Sequence, residues 1–280
     1  MKIGIIGVGF VGGATAEVFR EKYNVALYDK YKEEYNQPLA LIDSDIIFIC
    51  VPTPAKSTGE IDISMIEDSL ILLEKLTKGK KEKPLVVIRS TSVPGTAEKL
   101  SKKYFFHIAS NPEFLREKHS IEDMKNTRRI VIGAGDEKDK EKLISTYKSL
   151  FPDAVYICTD TKTSEMIKYA ANAMLIGQIG LANEIYKICE SLKIDYNDIK
   201  EALLLDQRIA RNIDVPGHDG EFGFGGKCFP KDLKAIMFLS KQKGHNPGLF
   251  QEIWRLNERV RKNKDWLKIP GATSDNLNFS

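Results

Sequence analysis

The sequence predicts an α/β fold: an N-terminal Rossmann-like doubly wound sheet, followed by an all-α central domain built on one long helix. Three observations carry that expectation. From residue 1 to about 160, short apolar runs of strand length alternate with segments of helical apolar spacing. A glycine-rich turn, GVGFVG, lies between the first strand and the first helix. At about Thr161 the alternation stops, and a single helical pattern runs to Leu192. The expected domains are therefore 1–160 and 161–266, with a polar tail over 267–280.

Lys2–Ile6 reads as a short buried strand. Gly7, Gly9 and Gly12 follow, with Phe10 and Val11 between them, and an apolar-periodic helix runs on to about Glu21. A second strand, Asn24–Tyr28, ends at Asp29, 22 positions after the first glycine, with Lys30 next. In such an element Gly7 makes the tight turn, Gly9 admits a pyrophosphate, and Gly12 lets helix and strand pack closely. The pyrophosphate rests on the helix N-terminus. Asp29 bonds the adenosine ribose hydroxyls and repels a 2′-phosphate, which favours NAD over NADP.

The alternation continues with a buried strand, Asp45–Val51, ending in the rigid loop Pro52-Thr53-Pro54. Ligands of doubly wound sheets bind at such carboxyl ends. Then come a helix over Ile63–Thr77, a strand over Leu85–Ile88 and the polar loop Arg89–Thr96. A weaker strand, Phe105–Ala109, leads into NPEFLRE, residues 111–117. Glu113 and Glu117 are four apart, so a helical turn puts both carboxylates on one face, a pattern that is usually solvated surface. Strand Arg129–Ile132, helix Asp136–Leu150 and strand Ala154–Cys158 complete the sheet.

Helix Thr161–Leu192 is apolar on more than one face, which suits the centre of a domain or an oligomer interface. Lys168 and Asn172 share one of its faces; a lysine there is most often a snorkelling surface residue. Helix Tyr196–Asp206, loop Gln207–Phe222 and the run GFGGKCFPKD, residues 223–232, come next. That run places Cys228 between a glycine-rich turn and a helix whose first turn accommodates Pro230. Orphan N–H groups and the helix dipole favour a thiolate there, and Lys227 and Lys231 add positive charge. A lone cysteine is more often a buried thiol in a tight turn. The glycines, two lysines and Asp232 make a nucleophile at least as good an account. A last helix covers about Pro247–Lys262, and the polar tail after Trp266 is expected to be loose.

Composition narrows the classes. A chain of 280 residues has room for two domains, and its 42 basic and 39 acidic residues give a net charge of +3, no reason to expect nucleic acid. Cys50, Cys158, Cys189 and Cys228 show neither metal-ligand spacing nor a disulfide framework. The first three suit reduced core thiols, and a reducing, cytoplasmic setting fits. The N-terminus enters a strand directly, so no signal peptide is expected, and the longest uncharged run, Tyr169–Asn183, is too polar to span a membrane.

GVGFVG, VPTP (51–54), the Ser-Thr loop (90–96), NPEFLRE, EMIKYAANAM (165–174) and FGFGGKCFPKD (222–232) together resemble the UDP-glucose/GDP-mannose dehydrogenase family. The resemblance extends from Met1 to about Lys262. It implies a Rossmann domain, a helical domain that dimerises through the long helix, and a two-fold oxidation of a sugar primary alcohol with two NAD. It implies that Cys228 forms a thiohemiacetal and then a thioester. Lys168 and Asn172 would stabilise the oxyanion, and Asp232 would orient water or accept a proton. Glu117 and Thr91 would hold a catalytic water, and Glu113 would assist thioester hydrolysis. The same resemblance assigns Gly7, Gly9, Phe10, Val11, Gly12, Asp29, Lys30, Pro52, Thr53, Thr91, Glu117 and Lys231 to NAD. It assigns Glu113, Phe114, Leu115, Arg116, Lys168, Asn172, Arg208, Phe224, Gly225 and Cys228 to a nucleotide-sugar substrate.

Two departures stand out. The chain stops about where the family's third, nucleotide-gripping domain would begin. Arg208 occupies the place of a substrate-reaching arginine from the partner subunit, but Arg211 is near as well. The rivals to a nucleotide-sugar 6-dehydrogenase are a single-step NAD-linked alcohol dehydrogenase of the same plan, and a non-catalytic NAD- or sugar-binding relative.

Overall fold

The computed structural model describes residues 1–274. Its described residues divide into two compact units, one of 1–53 and 62–168, the other of 54–61 and 169–274.

The first unit alternates β1 (Lys2–Ile6), α1 (Phe10–Phe19), β2 (Asn24–Tyr28), β3 (Ile46–Ile49), α2 (Ser64–Leu76), β4 (Leu85–Ile88) and α3 (Thr96–Tyr104). It continues with β5 (Ile108–Ser110), α4 (Ser120–Lys125), β6 (Arg129–Gly133), α5 (Glu137–Lys148) and β7 (Val155–Thr159). One sheet has the order β2-β1-β3-β4-β5-β6-β7. Its neighbours run parallel except β5 and β6, which meet antiparallel at Ser110 and Gly133. Successive side chains alternate between its faces. Ile3, Ile5, Ile46, Phe48 and Val87 pack with Phe19, Met124 and Tyr147 on one side. Ile47, Ile49, Val86 and Ile88 pack with Leu70, Leu73 and Leu100 on the other. Burial on both faces explains why these strands read as unbroken apolar runs.

Three expectations for this unit shift. Phe105 does not begin a strand: it ends α3 with φ 52°, exposed, and pairing starts at Ile108. Glu113 and Glu117 share no helical face, because 111–116 is irregular loop and Glu117 opens a separate 3-10 turn. Cys158 is exposed on β7, the edge strand, whereas Cys50 and Cys189 are buried as expected.

α6 (Thr161–Leu192) keeps the expected bounds. α7 (Tyr196–Leu203), α8 (Phe229–Gln242) and α9 (Gly248–Val260) belong to the second unit. There Ala182, Cys189, Tyr196, Ile213 and Val215 form a core, with Tyr186 in edge contact with Tyr196 and Phe222. The polar segment 268–274 is anchored rather than loose: Ala272 is buried, and Ser274 N donates to Ala55 O. The rest of the expected tail, 275–280, lies outside the described residues.

Candidate active site

In the first unit, β1 runs into Gly7, whose φ of +89° suits glycine. A Cβ on Gly12 would overlap the Gly7 carbonyl oxygen, so α1 can approach β1 only with glycine there. A Cβ on Gly9 would meet nothing within 4 Å. The space beside Gly9, at the start of α1 where Phe10 and Val11 leave N–H groups unpaired, fits a pyrophosphate. Asp29 at the end of β2 fastens this turn: its carboxylate accepts from Val8 N at 2.7 Å and from Tyr31 N at 3.0 Å. Lys32 donates to Val8 O at 2.8 Å, while Lys30 lies over the Tyr31 ring. These residues fit a dinucleotide.

Pro52 and Thr53 follow β3, and the Thr53 hydroxyl donates to Thr91 O at 2.6 Å. The loop carrying Thr91 is held from α6. Glu165 accepts from Ser92 Oγ (3.1 Å), Gly95 N (2.6 Å) and Ala97 N (2.9 Å), and so caps α3 from another helix. Burial pushes the Glu165 carboxyl up to about 7 against the pull of those donors.

One turn on, Lys168 donates to Glu113 at 3.0 Å, and the two side chains are 6% and 5% exposed. Lys168 is therefore a buried cation, not a snorkelling one. Glu113 also accepts from Leu115 N at 2.5 Å. Beneath this loop, buried Arg89 donates to Asn111 Oδ1 (2.5 Å) and to Tyr147 Oη (3.1 Å), and Asn111 donates to Val131 O. Phe114 lies under the Arg129 guanidinium, 3.9 Å from its ring centroid. Phe114, Leu115 and Arg116 border a cavity of about 480 Å³. The Arg116 side chain pairs with Asp123, whose carboxyl it holds below the ordinary value. Glu117 is exposed.

In the second unit, Cys228 is the N-cap residue of α8, and its carbonyl accepts the Asp232 N–H at 2.8 Å. Asp232 is 2% exposed. Its carboxylate takes Asn172 Nδ2 at 2.6 Å and Lys231 Nζ at 2.5 Å. Lys168 and Asn172 stand one turn apart on α6. Phe224 is buried, so its side chain is closed to a ligand. Arg208 folds back on Asp206 and stays 88% exposed; Arg211 is exposed too. Burial pushes the Cys50 thiol up to about 12, which disqualifies it as a nucleophile near neutral pH. Among the described residues, no His, Cys, Asp or Glu cluster suits a metal ion.

Glu165, Arg89, Asn111 and Tyr147 were not among the residues expected from the sequence. Arg89 and Asn111 stand where strands give way to polar loops and Tyr147 on a charged helix, and neither their residue types nor that of Glu165 on α6 say what the partner is.

Residues 23–151 match the NAD-binding domain of the UDP-glucose/GDP-mannose dehydrogenase family, and residues 162–259 match its central domain. The UDP-glucose 6-dehydrogenase of Rickettsia felis is 37% identical over 240 residues, which cover 84% of this chain and 52% of the relative. That of Bacillus subtilis is 36% identical over 233 residues, covering 80% and 48%. The solved UDP-glucose dehydrogenase of Pyrobaculum islandicum, 30% identical, superposes with a TM-score of 0.82 and covers 92% of this chain and 68% of that one. The chain spans about half the length of the curated relatives it matches. With both domain matches in sequence order over most of its length, the chain belongs to the UDP-glucose/GDP-mannose dehydrogenase family, and NAD is the cofactor of its N-terminal domain.

Proposed function

We propose that the chain performs an NAD-dependent two-fold oxidation of a nucleotide sugar, with UDP-glucose to UDP-glucuronate as the first candidate. The observation that carries this reading is the start of α8. Cys228 stands one turn before Asp232, and Asp232 is fixed by Asn172 and Lys231.

NAD bound at the glycine turn would supply the hydride acceptor for each oxidation. The sugar C6 alcohol first loses a hydride and a proton, giving an aldehyde. Cys228 Sγ bonds to the aldehyde carbon, forming a thiohemiacetal whose oxyanion is met by Lys168 and Asn172. Loss of the second hydride leaves a thioester. Water adds to its carbonyl, the C–S bond breaks, and carboxylate and thiol are released. Asp232 takes the proton or orients the water, and Glu113 assists hydrolysis while its pairing with Lys168 balances that cation. Thr91 and Glu117 hold the water. Arg208 or Arg211 extends to the substrate of a second copy. That copy docks through α6, where Met174, Leu181, Ile188 and Leu192 are exposed, giving a homodimer. Thiol chemistry of this kind belongs in a reducing compartment, which supports the cytoplasm.

The test is NADH formation at 340 nm with NAD and a panel of UDP-, GDP- and free sugars, on wild type and Cys228→Ser. Two NADH per sugar, falling at least about 10³-fold in Cys228→Ser, is the expected result. One NADH per alcohol, indifferent to Cys228→Ser, makes the enzyme a single-step dehydrogenase. NAD binding without turnover of any sugar sinks catalysis by this chain acting alone.

A further inference from the structure

The glycine run before Cys228 is held along its length by side chains. Gly223 N donates to Asn183 at 3.0 Å. Phe224 is gripped at both backbone groups by one amide: its N–H donates to Asn257 Oδ1 at 2.7 Å, and its carbonyl accepts Asn257 Nδ2 at 3.1 Å. Gly226 N donates to Asp265 Oδ2 at 3.0 Å. Between Asn257 and Asp265 lies Arg261, its side chain 1% exposed. It bridges Asp219 (2.7 Å) and Asp265 (3.3 Å) and donates to Asn263 O. A buried guanidinium between two carboxylates is compensated only while both are in place. Burial raises the Asp219 carboxyl, but the Arg261 bond and a backbone N–H outweigh it, so it sits below its ordinary value.

The loop sequence matches this brace. A Cβ on Gly223 would overlap Asn257, and a Cβ on Gly225 would overlap the Arg261 guanidinium. Gly223 and Gly226 also have φ of +69° and +75°. Gly223 and Gly225 therefore serve close approach of α9 and the turn after it, beyond any approach of a sugar, while Gly226, whose Cβ would meet nothing, serves the left-handed backbone alone. Trp266, next to Asp265, stacks edge-on against Trp254, which locks the turn to α9.

We propose that Asn257, Arg261 and Asp265 are positioning residues: they set the backbone of 223–226 so that Cys228 is delivered to the N-terminus of α8. The proposal rests on Cys228 being the nucleophile. Arg261 and Asp265 lie beyond residue 259, where the central-domain match ends. The brace therefore extends the functional segment through the turn at Asp265–Leu267.

The test compares wild type, Asp265→Ala and Asp265→Asn. The readouts are Cys228 alkylation by iodoacetamide against pH, followed by mass spectrometry, and hydrogen exchange of the peptide spanning 222–228. Lys227, Lys231 and Asp232 stay unchanged, as do Arg261 and Asp219 packed against the run. Both variants remove the Asp265 carboxylate, which by charge alone lowers the Cys228 midpoint, so a rise reads the loss of the brace. In general a thiol at a helix N-terminus is expected to titrate below the ordinary cysteine value of about 8.5. Asp265→Ala should move the midpoint up by about one unit, a tenfold loss of thiolate at fixed pH, and speed exchange at 222–228. Asp265→Asn keeps an acceptor for Gly226 and should recover part of the shift. Exposed Cys158 is the internal control and should not change. Faster exchange with an unmoved Cys228 midpoint overturns the proposal, because the brace is then only structural. A wild-type Cys228 that titrates like Cys158 and turns over no sugar removes the nucleophile reading instead. Exchange then decides the brace alone, and wild-type-like exchange in Asp265→Ala overturns it.

Discussion

Glu165 is held where burial and hydrogen bonding oppose each other. Three donors from the 92–97 segment favour its carboxylate, and desolvation favours its acid form and wins, lifting it from 4.5 to about 7. A carboxyl raised on folding stabilises the fold fully below about pH 4.5, and that contribution disappears as pH climbs through 7. Glu165→Gln mimics the acid form and does not titrate. The difference in unfolding free energy, wild type minus Glu165→Gln, should therefore fall between pH 5 and 8, by at most about 1.4 kcal/mol per pH unit. Urea midpoints across that range measure it, and a difference that is flat or rises with pH contradicts the account. Residues of this kind mark how far the sequence was legible. The spacing of Lys168 and Asn172 on one helix could be read directly, and so could the place of Cys228 before Pro230. The partners of Glu165 lie about 70 residues away, and those of Asn257 33 away, and no local pattern encodes such pairings.

Elements were legible where one physical rule dominates. α6 kept its bounds because its apolar spacing is unbroken, and the buried strands were found by their apolar runs. β5 begins at Ile108 and not at Phe105, because Phe105 is an exposed aromatic that ends α3 in the left-handed region, a backbone choice its residue type does not advertise. The glycine turn before α1 gives a prediction that separates packing from binding. Gly12→Ala pushes a methyl into the Gly7 carbonyl, so it should destabilise the chain by about 3 kcal/mol and weaken NAD binding with it. Gly9→Ala meets no neighbour, and Gly9 has φ of −78°, so stability should change by less than about 1 kcal/mol. Its methyl takes the place of the pyrophosphate, and NAD affinity should still drop more than tenfold. Thermal melts paired with NAD titrations give both numbers. Loss of stability in Gly9→Ala with NAD affinity intact would reverse the two roles.

For the whole molecule, the exposed apolar residues of α6 carry the question of assembly. Met174, Leu181, Ile188 and Leu192 are 68%, 65%, 53% and 62% exposed in the single chain. The first three recur every seven residues, and Leu192 follows four later, so all four fall in one stripe about 40° wide. Such a stripe on a long helix is the pattern of a helix meeting its own copy, where each contact is made twice about a two-fold axis. Burying one Leu or Ile side chain contributes about 1.5–3 kcal/mol. Leu181→Glu with Ile188→Glu replaces two such contacts on each copy and adds like charges facing one another. The dimer dissociation constant should rise by at least about 10³-fold, equivalent to roughly 4 kcal/mol. Sedimentation at tens of micromolar should therefore find wild type dimeric and the double variant monomeric. The double variant should keep its NAD affinity, since neither position belongs to the unit that carries the glycine turn. A wild type that sediments as a monomer at that concentration rules out the stripe as the interface. An arginine from a second copy, Arg208 or Arg211, then has no route to the substrate, and a panel of sugars that turns over all the same would show that the chain needs neither.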